Sequence, residues 1–333
     1  MTPTRIAIAA IVACSLGAPA CRDEVSLGNP RSYGPPPSLL PACPASEEFE
    51  LIANVEPNGS PIRAMKADND GIFVVTGTDG IPGSLFRVTG GSVQFLATVG
   101  VGPEAIAVGR DSVFVACSQS SQVFRVAKDG STTLFVANQP GVHTLVAAES
   151  DNMAYWVLAG DGGAVRQYYF GSNGFNTFES ALLPVSIAHD GKSLYVSRGQ
   201  GPVLKGTGSF SDPTVTLPGR CDGRMLALTE RDLLCVDGNA INRIPREGQR
   251  AATTRAVLPP GTIFDLVVGA GRVFFRFEPK DGYPGPPRIM SMPLVGDAAP
   301  TVIARLPGTV RFLTADACHL YVAEKNAVMR WRL

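Results

Sequence analysis

Apolar residues along this chain gather in short runs broken by Gly, Pro, Asp and Asn, a pattern that reads as strands joined by tight turns rather than as helices. One phrase repeats within it. A turn followed by an aliphatic, an aromatic and another apolar residue, or a close variant of that triplet, occurs as Ile72-Phe73-Val74, Val113-Phe114-Val115, Ala154-Tyr155-Trp156, Leu194-Tyr195-Val196, Leu233-Leu234-Cys235, Val273-Phe274-Phe275 and Leu320-Tyr321-Val322. The middle positions lie 41, 41, 40, 39, 40 and 47 residues apart, and six of the seven are aromatic. A period of about 40–45 residues is the length of one four-stranded propeller blade.

The second repeat shows the unit: Ala105-Ile106-Ala107-Val108 as inner strand a, Val113 to Ala116 as b, Val123-Phe124-Arg125-Val126 as c, and Leu134-Phe135-Val136-Ala137 as d. Lys128-Asp129-Gly130 supplies the c to d turn, because Asp-Gly tolerates the positive φ angles of short hairpins. Strand c recurs at Leu85-Phe86-Arg87-Val88, Ile241-Asn242-Arg243-Ile244, Ile289-Met290-Ser291-Met292 and Val328-Met329-Arg330-Trp331. Gly-Pro or Pro-Gly marks the passage between repeats at Gly102-Pro103, Pro140-Gly141, Pro218-Gly219, Pro260-Gly261 and Pro307-Gly308. The last repeat stops after strand c, and Leu51-Ile52-Ala53-Asn54, similar to Phe135-Val136-Ala137-Asn138, supplies the missing d. Pairing of segment 49–55 there closes the ring without a covalent link and satisfies the seam edges. The expectation is an all-β, seven-bladed β-propeller of four-stranded antiparallel blades over residues 48–333, with 48–55 as the outer strand of the last blade.

Ala154-Tyr155-Trp156 and Asp316-Ala317-Cys318-His319-Leu320-Tyr321-Val322 resemble the D-x-x-x-aliphatic-Tyr-Trp core of YWTD and NHL-type bacterial propellers, over roughly residues 49–333. The resemblance implies the fold and little about function, and the Thr-Asp that completes the YWTD pattern is absent. Residues 1–20 read as a signal peptide: Arg5 is the positive n-region, Ile6 to Leu16 the apolar stretch, and Gly17-Ala18-Pro19-Ala20 the small residues of a cleavage site. A Cys directly after such a site resembles the lipobox of bacterial lipoproteins, which implies lipidation of Cys21; Ile11-Val12-Ala13-Cys14 also fits that pattern with a shorter signal. Residues 21–47, rich in Pro from Pro30 to Pro44, read as an extended tether. No other segment is apolar for the ~18 residues a membrane span requires. The expected attachment is through a lipid anchor alone, as a periplasmic or outer-membrane-attached envelope protein, with secretion as the alternative.

Formal net charge is zero, so no basic field calls for nucleic acid. Export to an oxidising compartment lets cysteines pair. Cys318 in the last a–b turn and Cys43 shortly before the closing strand share one face of the seventh blade. About five extended residues reach roughly 17 Å, against about 14 Å for three strand spacings, so a Cys43–Cys318 bond would lock the closing strand. Cys221, entering the fifth blade, and Cys235, near the end of its strand b, share the opposite face and form a second expected pair. Cys117 is left over as a small buried hydrophobe.

Chemistry is sparse. Of three histidines, His189 and His319 fall in equivalent a–b turns, where solvated side chains are expected, and His143 stands at the entrance to the third inner strand. No zinc-ligand spacing, P-loop, nucleophile elbow or dinucleotide fingerprint occurs, and no cofactor is expected. Propeller sites form where inner strands begin around the channel, and in register these positions read Arg63, Glu104, Thr144, Val185, Arg224, Phe264 with Asp265 beside it, and Arg311. Planar guanidinium groups there suit a carboxylate, phosphate or acidic peptide group. The 47-residue spacing arises from a Pro-stiffened b–c loop, residues 278–287, on the same face, whose Tyr283 is a recognition candidate. The expected function is a monomeric binding or scaffold module for a protein, peptide or small anionic ligand. The alternative is a hydrolase or lyase resembling gluconolactonases or streptogramin lyases, with His143 and Glu104 as its acid–base pair.

Overall fold

The computed structural model describes residues 48–333 apart from 57–58, 149–152, 160–162, 170–171, 173, 180–183, 200, 208–214, 222–225, 249, 281–284, 297 and 306–309. The signal and tether segments with Cys21 and Cys43, and also Arg224 and Tyr283, lie outside the described residues.

Among the described residues the chain is built of strands and turns. After β1 (Glu50–Asn54), blade 1 holds β2 (Ile62–Asp68), β3 (Gly71–Thr76), β4 (Pro82–Thr89) and β5 (Ser92–Val101). Blade 2 holds β6 (Pro103–Val108), β7 (Ser112–Cys117), β8 (Gln122–Ala127) and β9 (Thr133–Val136); blade 3 holds β10 (Val142–Ala148), β11 (Met153–Leu158), β12 (Ala164–Tyr169) and β13 (Gly174–Glu179). Blade 4 comprises β14 (Pro184–His189), β15 (Ser193–Arg198), β16 (Pro202–Thr207) and β17 (Val215–Arg220); blade 5 comprises β18 (Leu226–Leu228), β19 (Asp232–Asp237), β20 (Ala240–Pro245) and β21 (Thr253–Val257). Blade 6 is β22 (Gly261–Gly269), β23 (Arg272–Pro279), β24 (Arg288–Pro293) and β25 (Thr301–Arg305), and blade 7 is β26 (Val310–Ala315), β27 (His319–Glu324) and β28 (Ala327–Arg332). Each blade is one four-stranded antiparallel sheet, and β1 completes the seventh by pairing with β28. Pro218-Gly219 does not end a blade as its composition suggests: the pair lies inside β17, at the irregular end of the β16–β17 ladder.

Seven buried clusters hold the ring, one between each pair of neighbouring blades. The repeated triplet explains how. Successive side chains on a strand point to opposite faces, so the middle residue packs on the next blade and its two flankers on the preceding one. Phe73 joins Val113, Val115 and Cys117 of blade 2, while Ile72 and Val74 join Tyr321 and Ala323 of blade 7. Leu234 keeps the same phase, packing against Ile263 and Phe275 of blade 6. Cys117 is buried in the first interface, where loss of solvation pushes its thiol up to about 12; it behaves as a hydrophobe.

The a–b turns carry a second repeating device. Asp190 Oδ1 accepts the backbone N–H groups of Lys192 and Ser193, and its Oδ2 accepts the Tyr195 hydroxyl at 2.8 Å. Asp316 does the same with Cys318, His319 and Tyr321. The aspartate thus shapes the turn and fixes the phenol five residues on, the physical content of the D-x-x-x-aliphatic-Tyr spacing. In two blades a cation from the following blade completes the a–b turn. Arg246 of the β20–β21 turn pairs with Asp190 and donates from Nε to the Tyr195 hydroxyl, and Lys128 of the β8–β9 turn bridges Asp68 and Asp70 of blade 1.

His189 departs from expectation. It is the last residue of β14, and its side chain turns toward blade 3 instead of into solvent. There it is 3% exposed, its ring stacks on Tyr155 with centroids 5.3 Å apart, and its Nδ1 accepts the Gly191 N–H. His319 keeps a partly exposed position beside Asp316, with Nδ1 3.3 Å from Oδ1. Cys221 and Cys235 are joined by a disulfide, and Cys318 is disulfide-bonded too.

Candidate functional site

The β2–β3 ladder steps from Ile62–Thr76 to Ala64–Val75, leaving Arg63 outside it. The same one-residue bulge leaves out Glu104 in β6, His143 in β10, Val185 in β14 and Arg311 in β26. A bulge re-aims the side chain of its extra residue, so five inner strands turn one side chain out of the sheet at the same level of the entrance. The level is set by counting from the aromatic triplets, whose middle residues pair with Lys66, Ala107, Val146, Ala188, Ala227, Val267 and Thr314. Three residues before each stand the members of the ring. The third member is therefore His143 and not Thr144, which instead pairs with Val157 and lines the channel.

Taken around the channel, Arg311, Arg63, Glu104 and His143 occupy four successive blades, an arc of ionisable side chains followed by Val185. Arg311 and Glu104 are exposed. Arg63 donates from Nε to the Gly77 carbonyl and reaches the exposed Asp79 at 2.6 Å, so its charge is oriented but still partly open to solvent. His143 is half-buried, with Nδ1 3.2 Å from the Gly141 carbonyl.

Blade 6 breaks the pattern. Its bulge lies one pair deeper, between Phe264 and Val267, and Asp265 there adopts a left-handed φ of 54°. Such a conformation is strained for a residue other than Gly, though Asp and Asn tolerate it best. Arg276 Nε lies 3.3 Å from Asp265, its Nη1 reaches Glu278 at 2.5 Å, and its guanidinium sits 4.2 Å from the Phe264 ring centre. Burial pushes the Asp265 carboxyl up to about 7; Arg276 opposes that shift and Glu278 adds to it. The side chain is thus poised to exchange a proton near neutrality.

Below the ring lies a cavity of about 300 Å³, lined by inner-strand residues of all seven blades. Its wall is mainly small and apolar, with Lys66, Thr144, Ser186, His189 and Asp265 as the polar exceptions. Burial lowers the pKa of the Lys66 ammonium. Among the described residues no group of three or more His, Cys, Asp or Glu could hold a metal ion.

No protein-family model matches this chain, and no curated protein matches it in sequence. The fold has many solved counterparts. Virginiamycin B lyase from Staphylococcus aureus superposes with a TM-score of 0.65 at 13% identity, covering 86% of this chain and 100% of that one. A catalytically inactive histidine-to-alanine variant of that lyase with quinupristin gives 0.65 at 14% identity over the same shares. The structure of U3-55K gives 0.63 at 12% identity, covering 87% of this chain and 100% of that one. At such identities the likeness is one of fold. The chain is a seven-bladed β-propeller.

Proposed function

We propose that this chain is a binding module of the cell envelope, held through a lipid on Cys21 and a Pro-rich tether, that captures an acidic peptide or other anionic ligand at the channel entrance. The observation that carries the reading is the common bulge that turns Arg311, Arg63, Glu104 and His143 out of four successive blades. Two neighbouring guanidinium groups suit a carboxylate or phosphate, and planar donors hold such groups in a fixed orientation. The Arg63–Asp79 pair does not block this role, because an exposed ion pair contributes only about 0–1 kcal/mol and exchanges readily for a ligand carboxylate. Binding of labelled tetraglutamate to the purified chain tests it. Arg63→Glu with Arg311→Glu is expected to weaken binding at least tenfold with an unchanged circular dichroism spectrum, and equal binding by the double variant would overturn the reading.

A second reading rests on His143 and Glu104, which stand at the same bulge position on adjacent blades. In it they act as general base and acid on a substrate at the entrance, in the manner of a propeller lyase. Assay of the purified chain against cyclic peptide lactones decides between the two. Turnover lost in both His143→Ala and Glu104→Ala supports the lyase, and turnover intact in both removes it.

A further inference from the structure

The seven residues that pair with the middle of each triplet form one level of the channel wall: Ala107, Val146, Ala188, Ala227, Val267, Thr314 and Lys66. Six of them are small or apolar. The seventh carries a primary amine. All but Thr314 line the central cavity.

Packing does not call for a lysine here, because the equivalent position in every other blade is filled by Ala, Val or Thr. Charge pairing does not call for it either. Lys128 is held by Asp68 and Asp70, and Lys205 donates to the Arg246 carbonyl. Lys66 makes no hydrogen bond or ion pair to any described residue. Lys66 is half-buried on the cavity wall; an ammonium partly stripped of water without a counter-charge is unfavourable, and an amine so placed loses its proton more readily than one in water. An unprotonated lysine amine is a nucleophile toward carbonyl carbon. The same cavity holds Asp265, whose carboxyl exchanges a proton near neutral pH.

We propose that Lys66 is a carbonyl-capturing amine, and that the channel takes a small aldehyde or ketone with an apolar body as a reversible imine. The Nζ lone pair adds to the carbonyl carbon, and the carbonyl oxygen becomes a hydroxyl as the nitrogen gives up a proton. The carbinolamine then loses water as C=N forms. Asp265 in its acid form can protonate the departing hydroxyl and recover the proton released from nitrogen, so no oxidant or reductant is consumed. The Ala, Val, Leu and Ile side chains of the wall suit a ligand body without charge. The amine lies below the entrance arc, and this proposal does not depend on that arc binding anything.

The test is reductive trapping. The purified chain is treated at pH 7 with benzaldehyde and cyanoborohydride, and peptide mass spectrometry compares benzyl addition at each lysine. Lys66 is expected to be labelled at least tenfold faster than the exposed Lys192, and its labelling to slow in Asp265→Asn. Labelling of Lys66 no faster than Lys192 would overturn the proposal. So would protection of Lys66 by benzoate in a chain that takes up benzaldehyde only at surface lysines, since the amine would then be an ion-pairing group. Lys66→Met, which restores an apolar wall, is expected to fold and to lose the fast label while keeping the slow ones.

Discussion

The two ends of the ring use charge in opposite ways. At the a–b turns charged side chains tie one blade to the next: Arg246 joins blade 5 to Asp190 and Tyr195 of blade 4, and Lys128 joins blade 2 to Asp68 and Asp70 of blade 1. At the channel entrance, bulges lift Arg311, Arg63, Glu104 and His143 out of their ladders. The first arrangement places carboxylates where backbone N–H groups, phenols and cations already satisfy them. Asp316 shows the result, since burial pushes its pKa up, yet the bonds from His319, Tyr321 and the Cys318 N–H together hold it below the ordinary range. The second arrangement leaves polar groups turned toward whatever enters. One end serves the ring's own cohesion, and the other has side chains to spare for a ligand.

The largest effect that tests this contrast is expected from Arg246→Met. It strips a partner from Asp190, whose side chain is 4% exposed, and removes donors to the Thr229 and Glu230 carbonyls. Breaking one half of a buried, hydrogen-bonded pair destabilises by roughly 3–5 kcal/mol. Urea unfolding measures it. A loss below about 1 kcal/mol would mean that the a–b turns are not staples, and a partial recovery on adding Asp190→Asn would identify the stranded charge as the cause.

Asp265 is the exception that sharpens the comparison, a charged group at the entrance end that is largely withdrawn from solvent, its side chain 21% exposed. Its folded pKa is raised from 3.8 to about 7, so the folded state holds the proton more tightly than the unfolded chain. The sign follows directly: the contribution to stability is fully present below pH ~4 and is lost as pH rises through ~7. Asp265→Asn, which keeps a residue tolerant of positive φ, is expected to match the wild type near pH 4 and to exceed it by about 4 kcal/mol at pH 8. Thermal unfolding across that pH range is the measurement. A gap that stays constant with pH would show that the carboxyl is not buried in its charged form.

How much of this was legible in the sequence differs between the same two ends. The blade count and the closing strand follow from Phe73, its six counterparts and Leu51-Ile52-Ala53, because packing between sheets forces a strict alternation that apolar residues record. The entrance register does not follow so directly. A bulge adds one residue without changing the apolar pattern, and counting straight down β10 points to Thr144 where the ladder puts His143 out of line. The place of His189 is hidden for a related reason: a polar residue at the end of a strand looks like part of the turn, and only the neighbouring sheet shows that Tyr155 covers it. The Asp190–Arg246 pair spans two blades and has no local signature. Lys66 could have been found by aligning each inner strand on its aromatic partner, where it stands alone among Ala, Val and Thr.

The smallest expected effect completes the contrast. Glu104→Ala and Arg311→Ala remove exposed side chains that bulges have already taken out of the ladder, so each is expected to change stability by no more than about 0.5 kcal/mol. Arg63→Ala is expected to cost slightly more, because its Nε bond to the Gly77 carbonyl ties β2 to the β3–β4 loop. What matters is the ratio between the two ends. If these entrance substitutions destabilised the ring as much as Arg246→Met does, the entrance side chains would be staples as well, and no surplus of charge would be left there to read a ligand. If they leave stability untouched while tetraglutamate binding falls, the division holds at the level of single side chains.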